Sequence, residues 1–165
     1  MKRLFVLTVV ALVSAPLFAQ SRSAAAPSLQ GVWRIVEVTT TGPGASKNTA
    51  PQPSLYIFTA RHYSLIRVNG TTTRADLPED QTKATAAQLL AAYGNAVTAQ
   101  SGTYEVAGGK LTLRPLVAKN PATMKGGVFN TSSYKLDGST LTFVSESSNT
   151  GPVASPTTFK LMRVE

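Results

Sequence analysis

Few residues in this sequence have the types and spacing that chemistry requires. The single histidine, His62, has no cysteine and no adjacent carboxylate with which to hold a metal. A serine hydrolase would have to use that same histidine, and no Gly-x-Ser-x-Gly elbow occurs. Gly108-Gly109 and Gly126-Gly127 precede neither a helix nor a Lys-Ser/Thr pair, so neither reads as a phosphate loop. Glu79-Asp80 is the one adjacent pair of acids, and it falls in a polar stretch that reads as solvated loop. No metal and no cofactor is expected.

What remains is a set of aromatic side chains and two opposite charges. In an alternating strand over residues 30–40, Trp33, Ile35 and Glu37 share one face. In a second strand over residues 62–68, Arg67 shares the face of Tyr63 and Leu65. If both faces point inward, two charges enter an apolar interior, and each needs a partner there. One reading pairs Glu37 with Arg67 near an opening. In the other, Arg67 meets the carboxylate of an amphipathic ligand through a charge-assisted hydrogen bond. Tyr56, Phe58, Tyr63, Tyr104, Tyr134 and Phe143 then line the ligand's surroundings, with Phe159 on the closing strand. The competing readings are a filled core serving as a protein-interaction module, and a barrel enzyme of the isomerase or cyclase type. The latter would use Glu37 as its acid or base.

The elements that must position these residues are mostly strands. Residues 55–59 and 62–68 alternate around a tight turn at Ala60-Arg61. Residues 101–107 and 110–117 form a hairpin around Gly108-Gly109, which pairs Val106 with Leu111 and Tyr104 with Leu113. Residues 128–136 and 139–145 form another around Asp137-Gly138, a strong type I′ signal. Its register puts Tyr134, Leu136, Leu141 and Phe143 on one face. The strand over residues 157–164 carries Phe159, Leu161 and Arg163 on one face and closes against the first strand. Residues 41–53 read as a long loop. Thr85-Ala86-Ala87-Gln88 is a capping box that opens a short helix stopped by Gly94, with Leu89, Leu90 and Tyr93 as its buried stripe. The pattern predicts an all-β fold: one up-and-down antiparallel barrel of about eight strands with one short mid-chain helix.

The chain of 165 residues suffices for one domain with a real core. Without cysteine it has no disulfide and no thiolate site. The net charge of +8 is scattered, with no run of three basic residues, so a nucleic-acid surface is not expected. Lys2-Arg3 followed by apolar residues 4–13 and Leu17-Phe18-Ala19 reads as an export signal over residues 1–19. The apolar run is short for a membrane span, so cleavage before Gln20 is favoured. Residues 20–28 then form a linker and residues 29–165 the barrel domain. The expected product is periplasmic or secreted and monomeric, with no stable membrane span after cleavage.

Gly31-Val32-Trp33 near the start and Arg163 near the end resemble the lipocalin signature. Leu29 to Trp33, Tyr56 to Ser64, Gly102-Thr103-Tyr104 and Leu161-Met162-Arg163 are similar to the bacterial lipocalin-like domain proteins. Residues 74–78 and 117–121 resemble segments of exported members of that group. The resemblance implies that Trp33 and Arg163 close one end of the barrel, the guanidinium lying across the indole. It also implies a small hydrophobic or amphipathic ligand held inside.

Overall fold

The two glycine turns set the register of four strands, and from that register the barrel follows. In this computed structural model, which describes residues 28–165, β5 (Val97–Ala107) and β6 (Lys110–Ala118) pair with Tyr104 opposite Leu113 and Val106 opposite Leu111. Gly108 and Gly109 have φ of 56° and 74°, the two positive values that a type I′ turn needs. β7 (Asn130–Asp137) and β8 (Thr140–Ser148) pair with Tyr134 opposite Phe143 and Leu136 opposite Leu141. Here the turn sits one residue later than the sequence suggests. Asp137 pairs with Thr140, so the central residues are Gly138 and Ser139. Only Gly138 has a positive φ, which is the type II′ pattern, and the facing of the strands is unchanged.

Eight strands close into the barrel. β1 (Gly31–Thr40), β3 (Ser54–Phe58) and β4 (His62–Val68) precede β5 around the wall. β10 (Thr157–Arg163) pairs antiparallel with both β8 and β1 and completes the ring. Every neighbouring pair is antiparallel. The expected long loop after β1 contains a short strand, β2 (Ser46–Asn48), that pairs with β1. β9 (Gly151–Pro152) likewise extends β8. The expected export signal, residues 1–19, and residues 20–27 of the linker lie outside the described residues.

One end of the barrel is packed solid. Trp33, Leu111, Leu141 and Leu161 are fully buried there. The Trp33 indole N–H donates to the Leu29 carbonyl at 2.9 Å. Arg163 Cζ lies 4.1 Å from the centroid of the Trp33 ring. Its guanidinium also donates to the carbonyls of Gln30 (2.6 Å) and Ser28 (2.7 Å), tying the entry of the chain to its exit. Gly31 makes room for this: a Cβ on it would stand 2.3 Å from Arg163 Nη1, and its φ is +135°. The spacing of glycine and tryptophan is therefore a steric requirement of the arginine.

Two expectations fail, each for a local reason. A β-bulge between Ile35 and Glu37 shifts the facing of β1. Val38, not Glu37, continues the inward face after Ile35, and Val38 packs against the core. Glu37 turns outward, opposite Lys160, and pairs with Lys47 at 3.2 Å. It has no part in the interior.

The helix differs too. α1 (Ala86–Tyr93) has the capping box that Thr85 and Gln88 predict. Yet Leu89, Leu90 and Tyr93 are exposed, and only Ala92 is buried. The helix is held by its C-terminal carbonyls instead of by an apolar stripe. Arg74 donates to the Ala92 carbonyl at 2.9 Å, and Lys119 Nζ donates to the carbonyls of Tyr93 and Gly94. Cations at the last turn satisfy acceptors that the helix itself leaves free.

Candidate functional site

The inward face of each barrel strand changes character along its length. From the packed end outward, β8 presents Leu141, Phe143, Ser145 and, past a bulge that sets Ser147 opposite Thr131, Ser148. β7 presents Leu136, Tyr134, Ser132 and Asn130, and β10 presents Leu161, Phe159 and Thr157. β4 presents Tyr63, Leu65 and then Arg67. Apolar side chains thus end about halfway along, and the rest of the interior is a cavity of about 480 Å³. A volume of this size suits a small molecule.

Tyr56, Leu65, Leu113, Phe143 and Phe159 form the apolar floor. Phe143 stacks at a tilt against Tyr56 (centroids 5.9 Å apart) and against Phe159 (5.2 Å). Above them stand hydroxyl and amide groups, among them Thr98, Gln100, Asn130 and Ser148. A wall of that kind offers donors and acceptors without fixed charge.

Among the described residues, Arg67 is the one charged side chain lining this cavity. Its Cζ lies 4.7 Å from the centroid of the Phe159 ring, a cation–π distance. Its Nε is buried and has no hydrogen-bond partner among the described residues. A buried guanidinium N–H without an acceptor is costly. The neighbouring Tyr56 feels the same charge. Burial pushes its phenol above the usual tyrosine range, and the Arg67 guanidinium, by its charge and by hydrogen bonding, pulls the other way.

Of the residues expected at a site, the fold brings Tyr56, Arg67 and Phe143 together on the cavity. Phe58, Tyr63, Tyr104 and Tyr134 do not line it. Phe58 and Tyr104 meet edge to face in the packed half, with centroids 5.2 Å apart, and the Tyr104 hydroxyl donates to the Thr59 carbonyl. Tyr134 packs against the core. Tyr63 is 2% exposed, and its hydroxyl has no partner among the described residues. Burial drives its phenol pKa far up, and the neighbouring Tyr56 adds to the shift. Glu37, turned outward by the bulge, is the one acid the sequence offers for acid–base chemistry inside, and it is absent from this cavity.

The polar wall escaped the sequence reading. Its signal was present: in β8 the inward positions pass from Leu and Phe to Ser and Ser, which a filled barrel has no reason to do.

Among the described residues no group of three or more His, Asp or Glu could hold a metal, and no helix is long and apolar enough to cross a membrane. Comparison with known proteins finds no match: no family model, no curated protein and no solved structure resembles this chain closely enough to count.

Proposed function

We propose that this protein is an exported, lipocalin-like barrel that binds a small hydrophobic or amphipathic molecule, with Arg67 meeting its anionic group. The observation that carries this reading is the half-empty interior: an aromatic floor, a polar wall and one half-buried arginine whose buried Nε has no acceptor among the described residues. An incoming carboxylate or phosphate supplies that acceptor, and the charge-assisted bond gains from the low dielectric around it. The aromatic floor of Tyr56, Phe143 and Phe159 covers the apolar part of the same molecule. Export rests on the sequence of residues 1–19 alone.

Titration of the mature protein with a fluorescent fatty acid tests the reading. Saturable binding is expected for the wild type. Arg67→Ala removes a hydrogen bond to a charged group, on the order of 1.5–3 kcal/mol, and so weakens affinity by about tenfold to a hundredfold. Equal affinities for the two proteins, or no binding by either, would overturn it.

A further inference from the structure

The barrel wall is not continuous beside Arg67. β1 pairs with β3 only over Gly31–Trp33. Beyond that, the Ile35 N–H donates to Ser54 Oγ at 2.8 Å, and the outer half of β1 turns to β2 for its partner. A slot is left between the outer half of β1 and the end of β4. It holds a second cavity of about 300 Å³, with Ile35, Val38, Pro51 and Val68 on its walls. Arg67, Thr157 and Phe159 line both this slot and the larger cavity of the mouth. The stacked Arg67–Phe159 pair is therefore the partition between them.

We infer that slot and mouth are two lobes of one site, built for an anionic amphiphile whose charge lies between a short apolar chain and a polar head. This rests on the binding role proposed above and names the ligand class. The order of groups along the site dictates the order along the molecule. The slot is the more apolar lobe, with Ile35, Val38, Pro51 and Val68 beside polar residues such as Asn48 and Gln52; Arg67, whose Nε has no acceptor among the described residues, stands at the junction; and amide and hydroxyl groups such as Gln100, Asn130 and Ser148 line the mouth. A fatty acid carries its charge at one end and leaves the polar lobe without a partner. An N-acylated amino acid has the required order: acyl chain, carboxylate on the α-carbon, polar side chain.

Two probes separate the alternatives. N-octanoylglutamine and N-octanoylglycine share the chain and the carboxylate and differ only in the head. The wild type is expected to bind the glutamine compound about tenfold more tightly, the worth of one or two net hydrogen bonds. Val38→Phe fills the slot and weakens both probes. Val68→Phe, at the end of β4, provides the same block should the first variant melt early. Asn130→Leu, opposite Leu113 on the inward face, replaces an amide of the mouth with an apolar group and removes only the advantage of the glutamine compound. Equal wild-type affinities for the two probes, both lost in Arg67→Ala, would overturn the two-lobed site and leave the simpler cavity standing. Weakening of N-octanoylglycine by Asn130→Leu, but not by the slot variants, would place the chain in the mouth and also overturn it. Failure of both probes to bind a wild type that still binds the fluorescent fatty acid would overturn the ligand class and leave the binding role, whereas failure of all three would remove both.

Discussion

Along β8 the inward side chains run Leu141, Phe143, Ser145 and, past a bulge, Ser148, and the two halves of the barrel differ as those pairs do. The packed half is bounded by two-residue turns at Gly108-Gly109 and Gly138-Ser139 and by the tie between Arg163 and the Gln30 carbonyl. The open half is bounded by the long connections that carry β2, α1 and β9. Burial of Trp33, Leu111, Leu141 and Leu161 supplies stability at one end. The other end contributes little to it and keeps room and hydrogen-bonding groups. The packed core and the open cavity thus share the same eight strands but occupy different lengths of them.

The comparison breaks if paired substitutions in one strand cost the same. Leu141→Ala in the packed half is expected to destabilise by about 2–5 kcal/mol, since the residue is 0% exposed and its neighbours close only partly over the void. Ser148→Ala, on the inward face of the open half beyond the bulge, is expected to change stability by less than about 0.5 kcal/mol. Urea unfolding of both variants gives the two numbers directly. Similar losses in the two would mean that the open half is as much a part of the core as the closed half.

A smaller loss is expected at the seam. Gly31→Ala places a methyl against Arg163 Nη1 in a backbone conformation that L side chains avoid. Strain of this kind costs about 1–3 kcal/mol. The arginine must move off Trp33, so indole fluorescence should change in the folded state as well as the melting temperature. An unchanged spectrum would show that the stack does not depend on the glycine.

How much of this was legible in the sequence follows from how local each signal is. Hairpin registers depend on glycines and alternation a few residues apart, so the facing of Tyr104, Leu113, Tyr134 and Phe143 could be read correctly. The facing of Glu37 could not. A bulge adds one residue to a strand without any residue type that announces it, and everything beyond changes sides. The aromatic residues were legible as inward, but not at which height they stand, because height depends on the tilt and stagger of the closed barrel. Phe58 and Phe143 look alike in sequence and end in different halves. For α1, the capping box is local and was legible; what holds the helix comes from Arg74 and Lys119, distant in sequence, and was not.

Tyr63→Phe runs the other way and is expected to stabilise, by about 1 kcal/mol. The hydroxyl is buried and unpartnered among the described residues, and removing an unsatisfied group recovers part of its desolvation penalty. The same substitution alters the alkaline limb of the stability profile. Burial raises the Tyr63 phenol above its ordinary value of 10.0, so the folded state holds the proton where the unfolded chain releases it. The stability associated with this difference is complete below pH 10 and is lost as pH rises above it. The variant should therefore decline less steeply in alkali than the wild type. Tyr56, raised in the same direction, leaves a residual slope. Parallel declines would mean that a water or an alternative rotamer satisfies the Tyr63 hydroxyl.

The smallest effect is expected where the sequence most suggested a buried contact. Leu90 is 70% exposed on α1, and neither it nor Leu89 nor Tyr93 is part of the core. Leu90→Ser removes almost no buried surface, and the difference in helix propensity is a few tenths of a kcal/mol. A stability change within about 0.5 kcal/mol follows. Lys119→Ala provides the contrast, because it takes away the donor to the last carbonyls of the helix. Hydrogen exchange along residues 86–93 should speed up in Lys119→Ala and stay near wild type in Leu90→Ser, since opening there is governed by the anchored end of the helix. If Leu90→Ser loosens the helix as much as Lys119→Ala does, the exposed leucine is covered in solution, and the open half of the barrel carries an apolar contact that its residues alone do not account for.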